Sequence, residues 1–388
     1  MLGWNFDAFF WLVLPIVVLE ALRVGRSERK RQRYSVLEAT AFAGLELLVL
    51  GLCAATSSPL VFLGVILLRL VIVRVRERQW WVRGPLKVSL LAAALILLVF
   101  VGGVQSFADV ASSNLDSTWR TVILVLICTA CAAATLPVRV SDEPKETLAA
   151  PLAFIAFARV ALPLGEQEPL FATIVPIVAA AMSFLCALWL FSAGKRANHF
   201  EASTLVSELI VCERGVILSF VWLGLASGEQ LAGIGALLQW WSGTLALIAL
   251  EASLRRRPVP KPKAFFALAM AVNLPGTIGF VAEDLLAHGL LGERPILAAA
   301  YVAVVAINAA ALYLALVNVI VDVQGRDPQR SQSASEAPPS LMMLIAAVLS
   351  VLIGLVPQPF VAEATEALDV IAPHSHHAEH HAEHHAEP

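Results

Sequence analysis

The chain has 388 residues, 59% of them hydrophobic and 15% charged, with a net charge of −3 and a mean hydropathy of +0.77. Soluble domains carry roughly 45–50% apolar and about 25% charged residues, so this composition excludes a fold built for water and selects the bilayer as solvent. The lack of a basic excess excludes nucleic acid as a partner. The five cysteines (Cys53, Cys128, Cys131, Cys186 and Cys212) all fall in apolar runs and read as small buried hydrophobes. Only Cys128 and Cys131 are close enough to share a helix face.

The first apolar run, Phe9–Leu22, is followed by basic residues and lacks a cleavage site, so it reads as a span and not as a signal peptide. A span needs about 20 apolar residues. On that criterion the sequence predicts an all-α, polytopic membrane bundle of about twelve transmembrane helices, near 8–25, 35–55, 57–74, 85–105, 118–136, 147–164, 170–192, 203–225, 231–253, 264–291, 296–322 and 340–357. Alternate loops are basic: Arg23–Arg33, Arg74–Arg83, Lys195–Arg196, Arg255–Lys263 and Gln324–Arg330. The intervening loops Asp109–Asp116, Gly165–Pro169, Ser227–Glu229 and Gly292–Pro295 are acidic or neutral. Basic loops stay cytoplasmic, which predicts both termini outside, in the periplasm for a bacterial inner membrane. Residues 1–372 form the bundle in this reading. The remainder, 373–388, is a low-complexity tail expected to be disordered. No cofactor is expected in the bundle. In the tail, His376, His377, His380, His381, His384 and His385 are spaced to bind a divalent transition metal weakly.

Ionisable residues at membrane depth are costly and usually face a polar interior. The candidates are Glu46, Arg69, Lys87, Arg159, Glu208, Glu213, Arg214, Glu251, Glu283, Asp284 and His288. Arg69, Lys87, Arg159 and Glu251 lie near predicted span ends and are expected to snorkel to the interface. Glu213 and Arg214 read as a local ion pair. Glu283 and Asp284 are the most informative, because they follow Leu274–Pro275–Gly276–Thr277 inside a long apolar segment. Pro275 and Gly276 predict a helix break there, and a broken helix at membrane depth survives only where protein or water satisfies its freed backbone groups.

The segment Asn273–Leu291 (NLPGTIGFVAEDLLAHGLL) resembles the discontinuous helix of antiporter-like subunits. These are membrane subunits of respiratory complex I, of multisubunit sodium/proton antiporters and of energy-coupled inorganic-carbon pumps. Leu274, Pro275, Gly276, Thr277, Phe280 and Glu283 match the motif; Arg83–Leu98, Leu136–Pro137 with Pro144, Gly228–Gln239 and Gly354–Phe360 are weaker matches in the right order. The resemblance implies an ion pathway through Glu283, Asp284, Lys87 and His288. It also implies membrane-subunit partners, lipid contact and, in the carbon-pump relatives, a soluble cytoplasmic enzyme.

The departures are equally specific. The family usually has fourteen helices. Its first half-channel glutamate is expected within Leu60–Leu68, where there is no acid; its two membrane lysines fall near Leu126 and Pro151, and its loop histidine at Val140. The resemblance therefore implies a degenerate proton path and a docking or scaffold role in an ion-translocating complex. An actively conducting subunit and a membrane partner of a soluble enzyme stay open as alternatives. A stand-alone enzyme finds no support: there is no Ser/His/Asp set, no phosphate-binding Gly loop and no metal-ligand spacing outside the tail.

Overall fold

A computed structural model describes residues 7–30, 36–77, 86–113, 115–136, 149–195, 202–254, 261–326 and 341–371. The loop Arg139–Lys145 with Val140, the His-rich tail and the Lys87 side chain lie outside the described residues. Every regular element among the described residues is helical. In chain order these are α1 (Ala8–Lys30), α2 (Val36–Ala55), α3 (Pro59–Glu77), α4 (Leu86–Phe100), α5 (Ser117–Thr135), α6 (Ala149–Ala156) and α7 (Leu162–Gly165). They continue with α8 (Phe171–Lys195), α9 (Ala202–Ala226), α10 (Gln230–Leu254), α11 (Lys261–Ala271), α12 (Ile278–Glu293), α13 (Pro295–Arg326), α14 (Leu341–Leu355) and α15 (Gln358–Ile371).

Each sequence-predicted span meets a helix or a helix pair. Five described helices are long and apolar enough to cross a membrane unaided: α5, α8, α10, α13 and the Val206–Ala226 part of α9. The sixth candidate is the pair α14 and α15, bent by 87°. The sequence reading closed the last span at 357; α15 extends the helical chain to Ile371 after the Pro357–Pro359 bend.

The described chain groups into two compact units: residues 1–134, 143–173 and 363–388 form one, and residues 135–142 and 174–362 the other. In the first, α1 packs on α2, α3 on α4, and α2 and α4 on α6. Phe9 stacks on Phe154 at 5.9 Å. α6 and α7 are joined by a π-helical turn, Phe157–Ala161, whose residues are all buried. A π turn adds a residue to the helix and re-aims the side chains around it, and these turns concentrate at functional positions. Here the turn carries Arg159.

In the second unit α10 is the central helix, buried almost end to end and packed against α9, α11, α12 and α14. Glycines permit the close approach of α10 and α12. A methyl on Gly235 would stand 2.6 Å from the Leu286 backbone nitrogen, and one on Gly289 would collide with the Ala232 backbone. Small residues at such crossings let membrane helices gain packing that larger side chains forbid. Gly289→Leu is therefore expected to cost at least about 1–3 kcal/mol, as overpacking does. Gly292→Leu, where nothing lies within 4 Å of the added carbon, should be near neutral. Thermal unfolding of the two variants in detergent checks the contrast.

Candidate functional site

The helix containing Pro275 is broken where the sequence places the break. α11 ends at Ala271 and α12 begins at Ile278. Two residues between them hold left-handed backbone: Asn273 at φ 52° and Gly276 at φ 91°. Glycine accepts that conformation without a Cβ penalty, and asparagine is among the few other residues that visit it readily. The freed backbone groups are recaptured locally. Leu274 N–H donates to Ala269 O at 3.0 Å, Thr277 N–H to Leu274 O at 3.1 Å, and the Thr277 hydroxyl to the same carbonyl at 2.8 Å.

The break turns Asn273 back over the first turn of α12. Gly279 makes this possible, since a Cβ there would collide with the Asn273 amide oxygen. Asn273 Nδ2 then donates to Glu283 Oε1 at 2.7 Å. On the facing helices, Asn308 of α13 donates through Nδ2 to Glu213 Oε2 of α9 at 3.0 Å. Glu213 thus bonds across the bundle to Asn308 and not, as the sequence suggests, to its neighbour Arg214.

Glu213, Glu283, Asn273, Asn308 and Gln239 line one small cavity, walled otherwise by apolar side chains such as Ile217 and Phe220. It has room for about one water molecule. Two buried acceptors on lining residues, Gln239 Oε1 and Asn308 Oδ1, have no hydrogen-bond partner. Neither does the Tyr301 hydroxyl, whose ring packs edge-on against Phe220 at 4.7 Å. Buried polar groups without partners are rare in folded proteins and mark a place where water or a ligand group belongs.

Of the sequence candidates, Glu213 and Glu283 face this cavity. Asp284 and His288 sit on the other side of α12, with side chains 58% and 66% exposed, and pair with each other at 3.2 Å. His288 Nδ1 also lies 2.9 Å from the Asp284 carbonyl oxygen. Lys87 belongs to α4 in the first unit, and Asp284 and His288 do not line the cavity. Sequence reasoning missed Gln239, Asn273 and Asn308 as site residues, because uncharged amides in apolar helices carry no signal of their own.

The snorkelling expected of Arg159 and Arg69 is corrected by burial: they are 7% and 4% exposed. Arg159 Nη2 contacts both Asp7 carboxylate oxygens at 3.3 and 3.2 Å and donates to Ala54 O at 3.0 Å. Its guanidinium lies 4.9 Å from the centre of the Phe9 ring and 5.9 Å from that of Phe107. Arg159 was placed at a span end by counting apolar residues; the π turn places it inside. Glu251 is also buried, at 8% exposure. α5 runs unbroken past Leu126, the position of the family's first lysine.

The sequence matches no protein-family model and no curated protein. The fold does match solved structures. A chain of respiratory complex I from Thermus thermophilus superposes with a TM-score of 0.64 at 19% identity, covering 94% of this chain and 84% of that one. A chain of the Mrp complex from Dietzia sp. DQ12-45-1b gives 0.64 at 16% identity, with 93% of this chain aligned to 44% of that one, so this chain spans less than half of its length. A chain of the membrane-bound sulfane sulfur reductase, an archaeal respiratory membrane complex, gives 0.58 at 15% identity, covering 86% and 76%. The chain therefore has the all-helical, multi-pass fold of antiporter-like membrane subunits, as the Leu274–Glu283 motif implied.

Proposed function

We propose that this chain is a membrane subunit of an ion-translocating complex, sited in a bacterial inner membrane with both termini outside. In this reading it docks against other membrane subunits and contributes one polar half-site, with no complete proton path of its own. The fold similarity supports the class. The observation that carries the docking role is the exposed Asp284–His288 pair. Asp284 lies nine residues before the end of α12, about 14 Å along the helix at 1.5 Å per residue. That is near the middle of a hydrocarbon core about 30 Å thick. A half-exposed carboxylate–imidazole pair at that depth is costly against lipid and is stable against polar groups of a neighbouring protein. Phe280 and Leu291 extend the same exposed stripe with large apolar side chains.

The double variant Asp284→Leu/His288→Leu tests this reading. It should insert and fold normally, yet be recovered with its partner subunits in several-fold lower yield after mild detergent extraction. Undiminished recovery of an intact complex would refute docking through this face.

A further inference from the structure

We propose that Glu213 is a second proton-holding residue, sharing one proton with Glu283 through a water bound in the cavity between them. The inference rests on the reading that this cavity is the ion-handling site, and it names what the cavity holds.

The argument starts from charge. Glu213 on α9 and Glu283 on α12 are the titratable groups among the cavity's lining residues, and no lysine, arginine or histidine lines it. Other ionisable groups on the surrounding helices lie outside that lining, among them Glu208, Cys212 and Arg214 on α9, Glu251 on α10, Lys263 on α11, Asp284, His288 and Glu293 on α12, and Tyr301 and Tyr313 on α13. Two carboxylates facing one apolar-walled space without a cation cannot both ionise cheaply, and such a pair keeps a proton between its members.

The hydrogen bonds fit one retained proton. Each carboxyl receives a single amide donor, Asn273 for Glu283 and Asn308 for Glu213. That anchors one oxygen of each group and leaves the other for the cavity. The unpartnered Gln239 Oε1 or Asn308 Oδ1 accepts one O–H of a buried water and leaves the other O–H for Glu283, and a buried water typically takes two to four polar partners. In the transfer, the O–H bond of protonated Glu213 breaks as the water accepts that proton. The water releases another to the Glu283 carboxylate, whose new O–H bond completes the step. The pair carries one negative charge before and after. Gln239 and Asn308 are positioning residues, since they orient the water and hold no proton.

Infrared spectroscopy of the purified full-length chain tests this directly, through the C=O stretch of protonated carboxyl groups in ¹³C-glutamate-labelled and unlabelled protein. At neutral pH the wild type should show a protonated-glutamate band. Glu213→Gln and Glu283→Gln should each shift or weaken that band, because each removes one of the two groups that share the proton while the other stays buried. The absence of any protonated glutamate in the wild type would overturn the proposal without any variant. So would a band unchanged by Glu213→Gln, or one abolished by sodium chloride and not by choline chloride, which would place a metal cation in the cavity. The measurement needs no partner subunit. Its failure therefore leaves the docking reading standing, and a failure of docking leaves this result intact.

Discussion

Arg159→Met is expected to lower the stability of the chain by roughly 3–5 kcal/mol, the cost of removing one member of a buried ion pair. The reason is the Asp7 carboxylate, which in the wild type is held by the Arg159 guanidinium at 3.2 Å in a setting where both side chains are under 10% exposed. Without the guanidinium the carboxylate keeps the Phe10 N–H at 2.9 Å but loses the Arg159 counter-charge, and Ala54 O loses the Arg159 donor. The arginine also lies against two aromatic rings, a contact worth about 2 kcal/mol when desolvated. Arg159→Lys should recover only part of the loss, since a single ammonium cannot reproduce the planar fork that reaches both Asp7 and the carbonyl. The double variant Asp7→Leu/Arg159→Met should be more stable than Arg159→Met alone, because it leaves no orphaned charge. Detergent unfolding curves of the three proteins decide the matter. Equal loss in the single and double variants would show that packing, not charge pairing, dominates.

The same pair shows where sequence reading stops. The helices were legible because apolar runs of span length alternate with loops of opposite charge, and both signals are local. The break at Pro275 was legible for the same reason: proline and glycine act on their own backbone. The partners of the buried charges were not. Arg159 and Asp7 are 152 residues apart, and Glu213 and Asn308 are 95 apart. Nothing in either neighbourhood names the other. Glu213 was assigned to the adjacent Arg214 because sequence proximity was the only available guide, whereas the side chain's direction on α9 decides its partner. The Asn273–Glu283 bond spans only ten residues, yet it depends on a left-handed asparagine and on the space left by Gly279. Asp284 was grouped with Glu283 by adjacency. Successive residues on a helix point about 100° apart, and the two carboxylates consequently serve different faces: one the cavity, the other the exposed stripe.

The isolated chain, reconstituted in liposomes with an internal pH-sensitive dye, is expected to carry no proton flux above that of protein-free vesicles. A proton path needs groups that can both take up and release a proton, or waters, at hydrogen-bond spacing through the whole low-dielectric slab. Among the described side chains of the first unit, the buried charges do not meet that need. Arg159 cannot give up its proton under physiological conditions, and it holds Asp7 in a fixed pair. Arg69 is buried as well. The positions where the family carries its glutamate and lysines are occupied by Leu60–Leu68, Leu126 and Pro151, none of them titratable. In the second unit, Glu213 and Glu283 face a cavity with room for about one water, enough to pass a proton between two groups and too short to span a bilayer. Flux well above background that disappears in Glu283→Gln would restore a conducting subunit and remove the case for a docking role. A dye signal that stays flat in the wild type, in a chain that still assembles with its partner subunits, is the outcome that the buried Arg159–Asp7 pair and the small Glu213–Glu283 cavity lead us to expect.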